Sequence, residues 1–266
     1  MTAPLVFITG ASSGIGQALA ARFAAEGYRL ALVARRAGEI ERWCREQGWP
    51  NERWAVYGAD VRNVPAITAA GRACIAAQGL PEVVIANAGI SIGVDTAEYE
   101  DMAVIQAIFE TNNLGMVATF QPFLEPMRAR RSEAGTALRP FTLVGVASMA
   151  AIRGLPGHGA YCASKAGVVA YCESLRGECR AFGIKVVTLL PGYVDTPLTA
   201  CNRYGMPFLM TPDDFAERAF RAIQAGASYR VIPWQMGVVA KLLRLLPNAL
   251  LDRVLAGRGR KNRQGQ

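Results

Sequence analysis

Short apolar runs alternate with longer amphipathic stretches through most of the chain. Residues 4–9, 30–34, 54–58, 83–86, 141–146 and 230–232 are of strand length and are rich in Val, Ile, Leu and aromatic residues. Between them apolar residues recur at helical spacing. Ala18, Leu19, Phe23 and Ala24 follow the first run, Ile105, Ile108, Phe109 and Val117 fall within 99–131, and Val168, Val169, Tyr171 and Leu175 fall within 160–182. Strands alternating with helices at this rhythm imply right-handed crossovers, and so an α/β fold built on a single doubly wound parallel sheet with helices on both faces. Residues 128–139 are polar and read as a turn before the run at 141–146.

With 266 residues, 52% of them hydrophobic, the chain can bury a sizeable core. No Pro/Ser linker or charge run divides it, so one domain is expected over residues 1–256, with 233–256 an apolar C-terminal extension and 257–266 a basic, solvated tail. The six cysteines are scattered without Cys-x-x-Cys pairs, and no secretory leader precedes the first apolar run, which favours reduced thiols and a cytoplasmic protein. A single histidine, His158, and no cysteine cluster leave an imidazole or thiolate metal site little to draw on. Of the formal charge of +8, four units come from Arg258, Arg260, Lys261 and Arg263 in the tail. The mild basic excess left on the body suits an anionic ligand. Nucleic-acid binding is not expected, because the tail lacks aromatic interleaving or a recognised motif.

The first apolar run ends in Gly10-Ala11-Ser12-Ser13-Gly14-Ile15-Gly16 and passes directly into a helical pattern. Strand, glycine loop and helix start make a phosphate cradle: glycine lets the backbone turn tightly and approach a pyrophosphate, and N–H groups at the helix start attract its oxygens. A plain structural turn rarely needs three glycines. The order Gly-x-x-x-Gly-x-Gly departs from the general Rossmann Gly-x-Gly-x-x-Gly, while the overall scheme is still Rossmann-type. The second run ends in Arg35-Arg36, where dinucleotide folds read the adenosine ribose. An acid there would select NAD(H), so two arginines favour NADP(H), with its additional phosphate. The third run leads to Asp60-Val61 and the fourth to Asn87-Ala88-Gly89. All these motifs fall beyond the carboxyl ends of strands, where such sheets bind ligands.

Residues 148–165 carry the candidate chemistry. A phenol has a pKa of about 10 in water and is a poor proton carrier near neutrality unless a cation stabilises the phenolate. Gly154, Pro156, Gly157 and Gly159 argue for a loop feeding a helix near residue 160, which puts Tyr161 and Lys165 one turn apart on one face. Ser148 completes the group. His158 reads as a loop histidine with local hydrogen bonds, contact with a substrate being the alternative, and Cys162 as a buried thiol pointing away from the Tyr161/Lys165 face.

Taken in order, Thr9-Gly10-x-x-x-Gly14-x-Gly16, Asp60-Val61, Asn87-Ala88-Gly89, Asn112-x-x-Gly115, Ser148, Tyr161-x-x-x-Lys165 and Pro191-Gly192 with Val194 and Thr196 resemble the short-chain dehydrogenase/reductase family from Leu5 to about Ile232. The resemblance implies a nicotinamide cofactor across the strand ends, with Asp60 and Val61 at adenine, Asn87 and the following backbone near the ribose, and Val194 and Thr196 at the carboxamide. It makes Tyr161 the proton donor or acceptor and Ser148 the hydrogen-bond partner of the substrate oxygen. Lys165 lowers the tyrosine pKa and holds the nicotinamide ribose, and Asn112 anchors a water that extends the proton path. Relatives pair through the helices at 99–131 and 160–182, which implies a homo-oligomer, a dimer or tetramer.

The implied activity is hydride transfer between NADP(H) and a small-molecule secondary alcohol or ketone. A nucleotide-binding sensor or interaction protein on the same fold is the alternative. Residues 198–211 are expected to lie over the nicotinamide as a lid, and their apolar group, Met206, Phe208, Leu209 and Met210 beside Gly205 and Pro207, suits a hydrophobic carbonyl. The space between Tyr161, Met206 and Trp234 is the expected substrate pocket. Residues 238–255 are apolar but broken by Pro247 and by Lys241, Arg244 and Arg253, too interrupted to span a bilayer. An oligomer contact or pocket wall is their first reading, and a peripheral contact with an anionic membrane surface the second.

Overall fold

Each predicted apolar run is a strand in the computed structural model, which describes residues 3–134, 140–200, 202, 205–257 and 261–264. The strands are β1 (Leu5–Thr9), β2 (Arg29–Ala34), β3 (Trp54–Gly58), β4 (Val83–Ala86), β5 (Thr142–Val146), β6 (Lys185–Pro191) and β7 (Tyr229–Ile232). They form one wholly parallel sheet in the order β3-β2-β1-β4-β5-β6-β7. The chain leaves β1 toward one edge and returns to β4 to build toward the other. That reversal opens a crevice beyond the carboxyl ends of β1 and β4.

Alternation along the strands decides which helices lie on which face. Phe7, Val84 and Leu143 point to the side of α3 (Val64–Gln78), α5 (Gly115–Ala134) and α6 (Gly159–Cys179), where Phe7 meets Phe123 edge-on at 4.8 Å. Val6, Ile8, Ile85 and Val144 point the other way, to α1 (Gly14–Ala25), α2 (Ala37–Glu46) and α7 (Pro212–Gln224), where Phe23 meets Phe220 at 4.9 Å. Burying one such side chain contributes roughly 1.5–3 kcal/mol. A one-residue slip of β1 would exchange both sets at once, so its register, and with it the position of Gly10, is strongly specified.

Helix starts follow local chemistry. Asn63 caps α3 by accepting from the Ala66 N–H at 3.1 Å, and Thr211 caps α7 by accepting from the Asp214 N–H at 3.1 Å, each ahead of a proline in the first turn. Such a cap is worth about 1 kcal/mol.

The structure differs from the sequence reading in two elements. The helical pattern at 99–131 is α4 (Asp101–Phe109) and α5, joined by a π turn at Glu110–Leu114 that carries Asn112. The polar stretch from 128 is not a turn, because α5 continues through Ala134; residues 135–139 lie outside the described residues. The apolar C-terminal segment is broken at Pro247 as the sequence indicates, into two helices, α8 (Trp234–Leu245) and α9 (Asn248–Leu255). Among the described residues no helix is long and apolar enough to cross a membrane.

Candidate active site

A cleft of about 640 Å³ runs along the carboxyl ends of the strands, within the usual range for ligand sites. At one side the loop after β1 closes on itself. Gly10 (φ +67°) and Gly14 (φ +55°) are left-handed, and a Cβ on Gly16 would lie 2.2 Å from the Gly10 carbonyl oxygen. Only glycine fits that position. The loop is stitched to the end of β4. Asn87 Nδ2 donates to the carbonyls of Thr9 (3.1 Å) and Gly10 (3.2 Å), and Thr9 Oγ1 accepts from the N–H groups of Asn87 (3.2 Å) and Ala88 (3.3 Å). Gly10, Ser12, Ser13, Gly14 and Ile15 line the cleft, whereas Gly16 supports the loop from behind. Ser13, the N-cap of α1, makes no side-chain cap bond, which leaves the positive end of the helix facing the crevice.

The Arg35/Arg36 side of the cleft is a cluster of charges. Arg35 and Arg36 both line it, Arg36 with its Nε 2.6 Å from Glu39 and its Nη2 3.4 Å from Ser12 Oγ. Asp60 and Val61 face them from the end of β3. Asp60 is held by Arg62, with Nη2 to Oδ2 at 2.9 Å, and that hydrogen bond keeps its carboxyl below the usual range. Arg62 was not foreseen, although it stands only two residues beyond Asp60.

Ser148, Tyr161 and Lys165 meet at the other end. Ser148 lies just past β5 and its Oγ accepts from the Ala150 N–H at 3.1 Å. Tyr161 and Lys165 sit one turn apart near the start of α6, with Lys165 Nζ 5.9 Å from the phenol ring centroid. Lys165 is buried, and its Nζ donates to the Val146 carbonyl at 2.9 Å. Burial lowers its pKa from 10.5 to about 8. Asn87, Ala88 and Gly89 line the adjoining wall, as do Pro191, Gly192, Val194 and Thr196 across the cleft.

Asn112 is the one expected catalytic residue that does not line the cleft. It sits behind the wall, where Oδ1 accepts from the Ile90 N–H at 2.9 Å and Nδ2 donates to the Ile90 carbonyl at 3.0 Å and to Ser164 Oγ at 2.9 Å. The π turn places it there, and Asn113 donates to the Ser164 carbonyl at 2.8 Å. His158, in the loop just before α6, is buried and lines the cleft, and its carbonyl accepts from the Cys162 N–H. Cys162 is buried as expected, and burial raises its thiol pKa.

The expected lid segment, residues 198–211, reaches the cleft, but not through its apolar group. Phe208 and Leu209 are half-exposed, Met210 is buried against the body with its N–H on the Tyr193 carbonyl, and Met206 is not among the cleft's lining residues. Leu198, Thr199, Asn202 and Pro207 of the same segment line the cleft. Trp234 faces solvent at 67% exposure, so it does not bound the pocket. The apolar wall is made by Met149, Leu155, Met236, Val239 and Leu243, the last three from α8. Arg153 fastens this wall by donating to the Leu246 carbonyl (3.3 Å) and Asn248 Oδ1 (3.0 Å). Period 3.6 alone could not say which face of α8 would turn inward, because the helix is apolar on more than one side.

The tail also differs from expectation. Residues 258–260 lie outside the described residues, but residues 261–264 dock on the loop after β4 rather than standing in solvent, and Lys261 lines the cleft.

A family model described as short chain dehydrogenase matches residues 4–205. A protein of Myxococcus xanthus (strain DK1622) described as an uncharacterized oxidoreductase is 36% identical over 245 residues, 92% of this chain and 93% of the relative. Among solved structures, a 3-ketoacyl-(acyl-carrier-protein) reductase from Brucella melitensis complexed with NADH superposes with a TM-score of 0.76 at 26% identity, covering 86% of this chain and 96% of that one. A short chain dehydrogenase from Burkholderia cenocepacia J2315 in complex with NADP superposes with a TM-score of 0.78 at 20% identity, over 95% and 97% of the two chains. At that identity the second likeness speaks for the fold alone.

Proposed function

The chain belongs to the short-chain dehydrogenase/reductase family, and we propose that within it this protein is an NADP(H)-dependent oxidoreductase acting on a secondary alcohol or ketone of hydrophobic character. The observation that carries the reading is the convergence of Ser148, Tyr161 and Lys165 on one cleft that begins at a glycine cradle. The cradle fits a dinucleotide: Gly10 and Gly16 have no room for a Cβ, which lets the loop turn tightly, and the start of α1 is turned toward the cleft. Gly10, Ser12, Ser13, Gly14 and Ile15 would hold the pyrophosphate, Asp60 and Val61 the adenine, and Asn87, Ala88, Gly89 and Lys165 the nicotinamide ribose. Pro191, Gly192, Val194 and Thr196 would hold the carboxamide. When bound, the nicotinamide supplies or accepts a hydride.

The chain's own work is proton transfer and positioning. Ser148 Oγ and the Tyr161 hydroxyl hydrogen-bond the substrate oxygen, and Tyr161 gives up its proton in reduction or receives one in oxidation. The Lys165 ammonium, fixed by the Val146 carbonyl, stabilises negative charge on the phenol oxygen. Asn112 acts through the loop it fastens, holding Ile90 and thereby the wall at Gly89. The NADP(H) preference over NAD(H) rests on Arg35 and Arg36 in the cleft, where the nearby Asp60 carboxylate is already engaged by Arg62. The hydrophobic substrate rests on the wall of Met149, Leu155, Met236, Val239 and Leu243.

A homo-oligomer is the expected assembly by family habit, with Phe109 and Tyr171 exposed on the helices that would pair. Light scattering of the purified protein tests it, and a monomer at all concentrations would count against it. The reaction itself is tested with a panel of aliphatic, steroidal and aromatic ketones and alcohols with NADPH, NADH and their oxidised forms, followed by the absorbance of the reduced nicotinamide. Turnover with NADPH and an apolar ketone is expected; NADH outperforming NADPH would sink the cofactor assignment. A protein that bound NADP(H) without turning over any of the panel would point to the sensor reading instead.

A further inference from the structure

Residues 261–264 lie across a surface shaped to receive them. Gly93 pairs with Arg263 as in a parallel ladder, and its N–H donates to the Asn262 carbonyl at 3.0 Å. A Cβ on Gly93 would lie 2.1 Å from the Lys261 carbonyl oxygen and 2.8 Å from that of Asn262, so the segment seats only on a residue without a side chain. One residue on, the Val94 N–H donates to the Gly157 carbonyl at 3.0 Å, which joins this seat to the loop that leads into Tyr161. At its far end Arg263 forks onto Asp101, with Nε to Oδ2 at 2.8 Å and Nη2 to Oδ1 at 3.2 Å, and lies 3.7 Å from Glu98. Asp101 is buried, accepts from the Asp95 N–H at 2.7 Å as well, and has its carboxyl held below the usual range, chiefly by Arg263. Bidentate pairs of this kind carry geometric specificity beyond simple charge attraction.

The segment so anchored delivers Lys261 to the mouth of the cleft. Its Nζ donates to Ser91 Oγ at 3.2 Å and to the Leu198 carbonyl at 3.0 Å. Ser91 follows β4 and Leu198 follows β6, and these strands flank β5, whose end carries Ser148. The ammonium therefore ties together the two banks on either side of the catalytic serine.

We propose that residues 261–264 are a strap and that Lys261 is a positioning residue, holding the loop at Leu198 against the loop at Ser91 so that the cleft is closed over Ser148 and Tyr161. This role rests on the oxidoreductase reading of the cleft. Charge-assisted hydrogen bonds to both banks hold substrate and cofactor in place. Breaking them raises KM and speeds cofactor release more than it lowers kcat, because neither bond reaches the reacting atoms.

Three substitutions separate this role from a merely structural one. Lys261→Met keeps the stem and removes the donors. Arg263→Gln removes the anchor. Gly93→Ala displaces the strap without altering it, and Gly93 is not left-handed, so alanine meets no backbone strain of its own. Each is expected to raise KM for the ketone, and the NADPH dissociation rate read by nicotinamide fluorescence, roughly tenfold, the effect of losing one charge-assisted bond. Amide exchange at Thr199 and Ala200 should speed up, and Lys261→Arg should restore much of the wild-type behaviour.

The Gly93→Ala/Lys261→Met double variant should do no more than either single variant, since both act through one contact. Full additivity, or single variants within twofold of wild type in KM, NADPH release and exchange, would overturn the strap. Wild-type protein that neither binds NADP(H) nor turns over a ketone would sink the oxidoreductase reading instead, and the exchange measurement would still decide whether Lys261 ties the two loops.

Discussion

Lys165 is anchored to Val146: the buried ammonium donates to the last carbonyl of β5 at 2.9 Å, so helix α6 and strand β5 share the hydrogen bond that sets the cation beside Tyr161. Burial lowers the lysine pKa from 10.5 to about 8. The folded state therefore binds this proton less tightly than the unfolded chain. The penalty for burying the charge is fully present below pH 8 and disappears as pH rises from about 8 to 10.5. Thermal unfolding of the cofactor-free protein, compared with Lys165→Met, should show wild type gaining on the variant across that window, by on the order of 3 kcal/mol. Cys172, a nearby thiol pushed up by burial to about 11, is common to both proteins and largely cancels in the difference. A difference that shrank or reversed with rising pH would contradict the burial argument.

Tyr161→Phe removes one oxygen from the proposed catalytic end and leaves the glycine cradle untouched. Turnover should fall by roughly 10²–10⁴-fold, the usual worth of a positioned acid or base. NADPH affinity, measured by fluorescence titration, should change by less than a factor of about three. Retained turnover would remove Tyr161 from the chemistry.

Arg35→Ser with Arg36→Ser takes both cations from the ribose end while Arg62 stays paired with Asp60. Losing charge-assisted bonds to a phosphate costs about 1.5–3 kcal/mol each. NADPH should bind at least tenfold more weakly with NADH little affected. Calorimetric titration of both cofactors at two salt concentrations checks this, since the arginine contribution alone should be salt-sensitive. Equal losses for both cofactors would show that the arginines do not discriminate between them.

Gly16→Ala places a methyl where the Gly10 carbonyl oxygen stands 2.2 Å away. Because backbone rather than a side-chain end must move, the cradle opens and its bonds to Asn87 are strained. A stability loss of about 1–3 kcal/mol is expected, together with loss of cofactor binding. Gly38, whose Cβ would meet nothing within 4 Å, is the control: Gly38→Ala should be harmless to both. Unimpaired NADPH binding by Gly16→Ala would mean that the loop tolerates a wider turn.

The cradle and the Ser148, Tyr161 and Lys165 group were legible in the sequence because short-range rules govern them. A short strand of four apolar residues and a threonine followed by Gly10, Gly14 and Gly16 can hardly be arranged otherwise, and the i, i+4 spacing of Tyr161 and Lys165 sets their mutual position once α6 forms. Alternation in β1 likewise determined which side chains would face which helices. Arg62 could have been found by the same reasoning, since a cation two residues from Asp60 lies within its reach.

What required the tertiary structure was every contact in which partners distant along the chain choose among several surfaces. Asn112 packs behind Gly89, on Ile90 and Ser164, because a π turn sets its direction, a change of hydrogen-bond register that hydrophobic periodicity does not encode. The apolar residues at 206–210 looked like a lid, yet α8 supplied the wall, because each carries more apolar surface than one packing face needs and only the shape of the body selects which is buried. Lys261 lies 170 residues from Ser91. The composition of the tail predicted solvation, and the bare backbone of Gly93, the buried carboxylate of Asp101 and the carbonyl of Leu198, brought to one place by the fold, decided that it docks.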